Sequence, residues 1–288
     1  MNSATFLVWR TLLIALLVTT TIGVSGCANL HKTQANADPE SKFVKFADDT
    51  SVRYEPGAYA YAQLVAWMLP AAIKQIENAH YRPFKQPLTI YICRTDECFS
   101  SSVVTKNVSA AVIPDNRLFL SPRLFTKENG RLFRILTHEL SHVHLGQQIG
   151  HFSDTVPVWF HEGLAAYASE GGGAEYATDQ QVRQAMREGR SFDPVAVDRL
   201  SSRKKAEEWE LSTYLFYRES MMFMTFLRTY GGNKFRTFLR SVQDKTDFST
   251  AFLNAFEVDL ATAGSRFITS QLETVSPPAA PQQTPQTR

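Results

Sequence analysis

Two histidines four residues apart, His138 and His142, followed twenty residues later by Glu162, constrain this chain more than any other feature. Both histidines lie in a segment that reads as a helix over residues 131–148, with Leu132, Ile135, Leu136 and Leu140 as its apolar stripe and Gly146 or Gly150 near its stop. At four-residue spacing two imidazoles stack on one helix face and reach a single metal ion, while the intervening Glu139 points close by without having to be a ligand. Pro157 suits the first turn of a second helix, expected to run through Trp159 and Glu162 to about Ser169, where the run Gly171 to Gly173 breaks it. The two helices must then pack across each other so that Glu162 completes a two-His, one-Glu set, and Gly163 permits their close approach. Such a set fits one Zn2+ per chain, which accepts neutral imidazole and carboxylate and keeps a fourth position open for water.

The rest of the chain supplies a scaffold of α+β class. Residues 58–79 carry apolar side chains at helical spacing, with Pro70 expected to bend or split the element. Residues 87–93 alternate as a strand. Residues 109–113 and 117–121 form a second and third strand, joined as a hairpin through Pro114, Asp115 and Asn116. Beyond Leu200 helices are expected over residues 211–230, 234–242, 248–256 and 260–272. A mixed α/β N-terminal lobe followed by a helical C-terminal lobe, with an active-site cleft between them, is the architecture implied.

A zinc-bound water and an adjacent carboxylate suit peptide-bond hydrolysis, with Glu139 as the general base. The formal charge of +2 and the lack of a basic stripe leave no case for nucleic acid. His144, two residues past His142, faces away from the metal and is expected to be partly exposed. His151 reads as loop surface, and His161, about 100° round its helix from Glu162, is given no role.

The segment His138-Glu139-Leu140-Ser141-His142 followed by Pro157-Val158-Trp159-Phe160-His161-Glu162-Gly163 resembles the gluzincin metallopeptidases. A closer resemblance is to bacterial peptidase-MA-like proteins, whose back half carries the pattern seen here as Tyr214, Tyr217, Ser220, Phe223, Phe226, Leu227, Tyr230 and Gly231. The resemblance implies a gluzincin-like domain over residues 43–273. It also implies an extended peptide or protein substrate lying along the strand at residues 109–113, and a tyrosine opposite the metal for the developing oxyanion. Tyr217 is the catalytic candidate, with Tyr214 one turn earlier as the alternate. Two departures stand out. Thermolysin-like enzymes place an aspartate one turn after the glutamate ligand to orient a metal histidine, and Ala166 stands there in this chain. The substrate-amine anchor of the M1 aminopeptidases has no counterpart, so aminopeptidase activity is not implied. A gluzincin-like lipoprotein that binds a peptide or partner around a structural zinc, without cleaving it, is the alternative.

The start of the chain reads as an export signal over residues 1–26: Arg10, an apolar run to Val24 shorter than the about 20 residues of a membrane span, then Val24-Ser25-Gly26 before Cys27. These last four residues resemble the lipobox of bacterial lipoproteins, which implies lipidation at Cys27 and attachment to the membrane of the bacterial cell envelope. Ala28 in the next position implies the outer membrane, facing the periplasm or the cell surface. Residues 27–42 read as a flexible tether and residues 274–288 as a disordered tail. Cys93 and Cys98 are expected to pair as a disulfide in an exported protein. Replacing Cys27 by Ala is expected to move the protein from the membrane to the soluble fraction on cell fractionation, and continued co-sedimentation with membranes would remove the lipid-anchor reading.

Overall fold

The computed structural model describes residues 40–104, 108–150, 155–195 and 206–273. Cys27, His151, the expected export signal, and the expected tail lie outside the described residues. Among the described residues a five-stranded mixed sheet forms the front half, in the order β1-β2-β3-β5-β4: β1 Val44–Lys45, β2 Val52–Tyr54, β3 Thr89–Ile92, β4 Ala110–Ile113 and β5 Arg117–Leu120. β2, β3 and β5 run parallel, whereas β1 and β4 are antiparallel edges. The hairpin between β4 and β5 turns through Asp115 and Asn116, both at positive φ, a conformation these two residue types tolerate better than most. β1 and β2, two and three residues long, are too short to leave an alternating signature, and the sequence reading missed both. The folded body also starts before residue 43, for Glu40 accepts hydrogen bonds from Arg53 (2.8 Å) and Arg117 (3.3 Å).

Alternation in the strands sends side chains to two cores. Ile90, Ile92, Leu118 and Leu120 face α1 (Tyr59–His80) and α4 (Leu132–Ile149), while Tyr91, Cys93 and Phe119 face the other side, with Tyr91 and Phe119 stacked 4.6 Å apart. That second face is closed by α2 (Asp96–Ser102), and a disulfide joins Cys98 in α2 to Cys93 at the end of β3, Cα to Cα 5.6 Å. α1 is not split at Pro70: the helix runs unbroken through it, with the proline ring exposed on its outer face. A short α3 (Arg123–Thr126) leads into α4.

The back half is helical: α5 (Val158–Ala168), α6 (Asp179–Arg187), α7 (Thr213–Thr229), α8 (Gly232–Gln243), α9 (Phe248–Phe256) and α10 (Leu260–Glu273). α6 was missed by the sequence reading although its start carries a capping box, Thr178 with Gln181. Trp159, Phe160, Phe223, Phe238 and Phe252 are the centre of this core. α4 belongs to both halves, since Leu136 and Leu140 lie in the sheet core and Leu145 and Ile149 in the helical one. The expected α+β class and two-lobed arrangement are thus present. Gly163 does permit a close approach, but to α7 and not to α4: a Cβ there would lie 2.8 Å from the carbonyl oxygen of Ser220.

His144 is fully buried, contrary to the partial exposure expected of it. Its Nε2 donates to the carbonyl of Arg82 (2.9 Å), so its Nδ1 accepts from His80 Nδ1 (2.9 Å), and His80 Nε2 accepts in turn from Ser141 Oγ (2.8 Å). Only this tautomer assignment gives every contact one proton. Burial holds both imidazoles below their ordinary range, with the neighbouring His144 adding to the effect on His80, and the neutral pair fastens α4 to the end of α1.

Glu219 in α7 is 1% exposed, accepts from Ser191 Oγ, and has no partner for Oε2 among the described residues. Burial outweighs the hydrogen bonds from Ser191 and the Phe192 backbone and pushes its carboxyl from 4.5 up to about 8. The folded chain therefore holds a proton that the unfolded chain releases between those values. Stability from this group is complete below pH 4.5 and falls towards pH 8, with a slope approaching about 1.4 kcal/mol per pH unit. Urea midpoints across this window are expected to fall for the wild type and to lose that component in Glu219→Gln.

Candidate metal centre

α4 and α5 cross where His138, His142 and Glu162 meet. Their closest atoms are His138 Nε2 to His142 Nε2 at 3.0 Å, and Glu162 Oε2 to each of these nitrogens at 3.4 Å. Zinc bound tetrahedrally at about 2.0–2.1 Å separates neighbouring ligand atoms by about 3.3–3.4 Å, so the donor set has the size as well as the chemistry for that ion. The perpendicular imidazoles (86°) turn their Nε2 atoms to the same point as the carboxylate. A second group of metal-capable side chains among the described residues, Glu55 with Cys93 and Cys98, is chemically spent. Its cysteines form the disulfide, and Glu55 accepts from the backbone N–H groups of Arg94 (2.7 Å) and Thr95 (3.0 Å).

The orienting group missing at Ala166 is supplied from elsewhere. The glycine run after α5 folds back over α4, and the carbonyl of Gly172 accepts from His138 Nδ1 at 2.8 Å, leaving the Nε2 lone pair for a cation. Only glycine fits, because a Cβ at residue 172 would lie 2.5 Å from the carbonyl oxygen of Arg134 and 2.6 Å from Ser169 Oγ. His142 Nδ1, by contrast, is buried with no hydrogen-bond partner among the described residues.

Electrostatics within the cluster are dominated by burial and by mutual pairing. Burial alone would raise Glu162 and lower His138. The two imidazoles instead hold Glu162 well below the carboxylate range, and Glu162 with Glu139 holds His138 above the ordinary range of histidine. Glu139 is pushed upward by burial, against the opposing pull of His142 and His138.

The cluster opens into a cleft of about 790 Å³. One wall is β4, the edge of the sheet, with Val108 to Val112 along it. Ser121 N donates to Ser109 O (2.9 Å), which makes residues 109 and 121 a hydrogen-bonded pair, so the peptide groups of Ala110 and Val112 point away from β5. The other wall is α7, which presents Thr213, Tyr214 and Tyr217. Tyr217 stacks over His138 (6.0 Å, 15°), whereas Tyr214 is more exposed and packs on Tyr176 (4.8 Å). His161, to which the sequence reading gave no role, lines the cleft and stacks on His142 (4.4 Å, 19°). Its angular offset from Glu162 sends it to the side of the ligand ring and not out to solvent. The cleft wall also carries charges that no motif announced: Glu128 accepts from Ser109 (2.6 Å), Arg123 (2.6 Å) and Arg131 (2.8 Å), and Arg131 reaches on to Glu175 (3.1 Å).

The family model described as the Peptidase MA superfamily matches residues 70–270, a span that contains the whole cluster. Among curated proteins no sequence matches. Among solved structures, a two-domain M1 zinc metallopeptidase variant bound to L-arginine is similar at a TM-score of 0.45 and 15% identity. That likeness covers 77% of this chain, and the chain spans 47% of the M1 protein's length.

Replacing Gly172 by Ala is expected to displace the carbonyl from His138 and to weaken zinc binding about 10- to 100-fold, the usual cost of losing such an outer contact. Chelator competition measures it, and unchanged affinity would mean that the carbonyl does not orient the ligand.

Proposed function

This chain belongs to the peptidase MA superfamily, and from that premise we propose that it is a lipid-anchored zinc endopeptidase of the bacterial envelope, cleaving extended peptide segments. The observation that carries the reading is the convergence of His138, His142 and Glu162 within 3.4 Å at the floor of an open cleft, with Glu139 beside them. His138, His142 and Glu162 would hold the ion. Zinc would supply Lewis acidity, bringing the pKa of water towards neutrality and polarising a peptide carbonyl.

The remaining work falls to the chain itself. Glu139 takes the proton of the attacking water and delivers it to the leaving amine. Tyr217, on the wall facing Glu139's helix, donates a hydrogen bond to the oxygen that gains charge, which Tyr214 is less well placed to do. A substrate strand laid against β4 would pair with the outward peptide groups of Ala110 and Val112 and be held extended. Such pairing reads backbone and not side chains, which favours cleavage within a chain over trimming of its ends. Attachment through Cys27 to the outer membrane, facing the periplasm or the surface, completes the proposal and is supported by the sequence between Val24 and Cys27.

The test is Glu139→Gln. It is expected to retain one zinc per chain, measured by mass spectrometry, and to lose casein hydrolysis by about 10²- to 10⁴-fold. A variant with zinc and full activity would remove Glu139 from the mechanism. A wild-type protein that binds zinc and cleaves neither casein nor cell-wall amides would favour the binding-protein alternative.

A further inference from the structure

The first two-thirds of α1 is apolar on both sides, before exposed Lys74 and Asn78 continue its outer row. From Tyr59 to Ile73 it carries no charged residue. Its inner face, Ala62, Val65, Leu69, Ala72 and Ile76, is buried against the sheet and α4. Its outer face repeats the pattern with Ala60, Leu64, Trp67 and Ala71, among which Gln63 is the one uncharged polar side chain besides tyrosine. Trp67 is 77% exposed and Leu64 38%. A helix that is apolar all round is ordinarily covered on all sides. Tryptophan with an open face is typical of the membrane–water interface, where its ring and its N–H are both satisfied.

We propose that this outer face docks on the lipid surface to which the chain is anchored, Trp67 and Leu64 entering the headgroup region. The inference rests on the lipid-anchor reading of Cys27. Twelve residues separate Cys27 from Glu40. Fully extended, the stretch from Cys27 to Glu40 reaches at most about 47 Å, which limits how far the body can stand from the bilayer. The chain enters the body on the sheet face that α2 closes, where Phe43 packs on Tyr91 at 4.9 Å, and reaches the start of α1 only at Phe46, which packs on Tyr59 at 5.5 Å. No described helix is long and apolar enough to cross a membrane, so α1 would lie on the surface and not span it. β4, which borders the cleft, is the sheet edge opposite β1, and docking through α1 leaves the cleft open to substrate.

The test uses the mature, lipidated chain in phosphatidylethanolamine–phosphatidylglycerol vesicles, with and without bromine on the acyl chains, and Trp67→Phe to isolate the Trp67 emission from that of Trp159 and Trp209. Trp67 is exposed, so the variant keeps the fold. The Trp67 component is expected to fall at least about two-fold in brominated vesicles, as an interfacial ring would. An anchored chain whose Trp67 is unquenched and remains open to aqueous iodide would overturn the docking while leaving the anchor intact. Mass spectrometry showing no lipid on Cys27 would overturn both. Concentration-dependent shielding of Trp67 without vesicles would assign the face to a second copy and overturn the proposal.

Discussion

The crossing of α4 and α5 is the constraint on which the rest of the molecule depends. It places a largely buried carboxylate against two imidazoles, and none of the three could stay buried in its functional state without the others. Each helix is in turn held from behind. α5 is set by α7 through the close contact of Gly163 with Ser220, and by Gln75 of α1, which donates to the carbonyl of Ala168 (2.7 Å). α4 is set by the buried chain from Ser141 through His80 to the carbonyl of Arg82. The ligands are thus positioned by contacts on the sides of the helices that never see the cleft.

The cleft itself is a by-product of where the sheet ends. With β4 as its last strand, the front half presents an unpaired edge to the same opening into which α7 turns Tyr217 and α4 turns Glu139. An edge strand in the open is a hazard for association between copies. Here the opposing wall and the charged cluster around Glu128 flank it, so that access is along the cleft.

Much of this was legible in the sequence, because the spacing that metal binding demands is also the spacing of one helix face. His138, His142 and Glu162 could be grouped before any coordinates, and the strands at β3, β4 and β5 followed from alternation. What escaped depends on contacts distant in sequence. Burial of His144 depends on His80, 64 residues away. The stacking of His161 depends on the side from which α5 approaches α4, which an angular offset within one helix does not fix. β1 and β2 are strands because β3 is there to pair with, and Glu128 gathers its donors from Ser109, Arg123 and Arg131. Pro70 misled in the other direction, since a helix packed along its whole inner face tolerates a proline whose ring sits on the outside.

The Gly172 carbonyl that steadies His138 is a backbone group, written into the conformation of a loop and not into the identity of a side chain. Substitution cannot delete it outright, and a search for an acidic residue at that place in the sequence would overlook it. It comes into being only once the segment after α5 has folded back onto α4. A nascent or partly unfolded chain would offer His138 with its tautomer unfixed. The orientation of His138 is thus complete only once the segment after α5 has closed on α4.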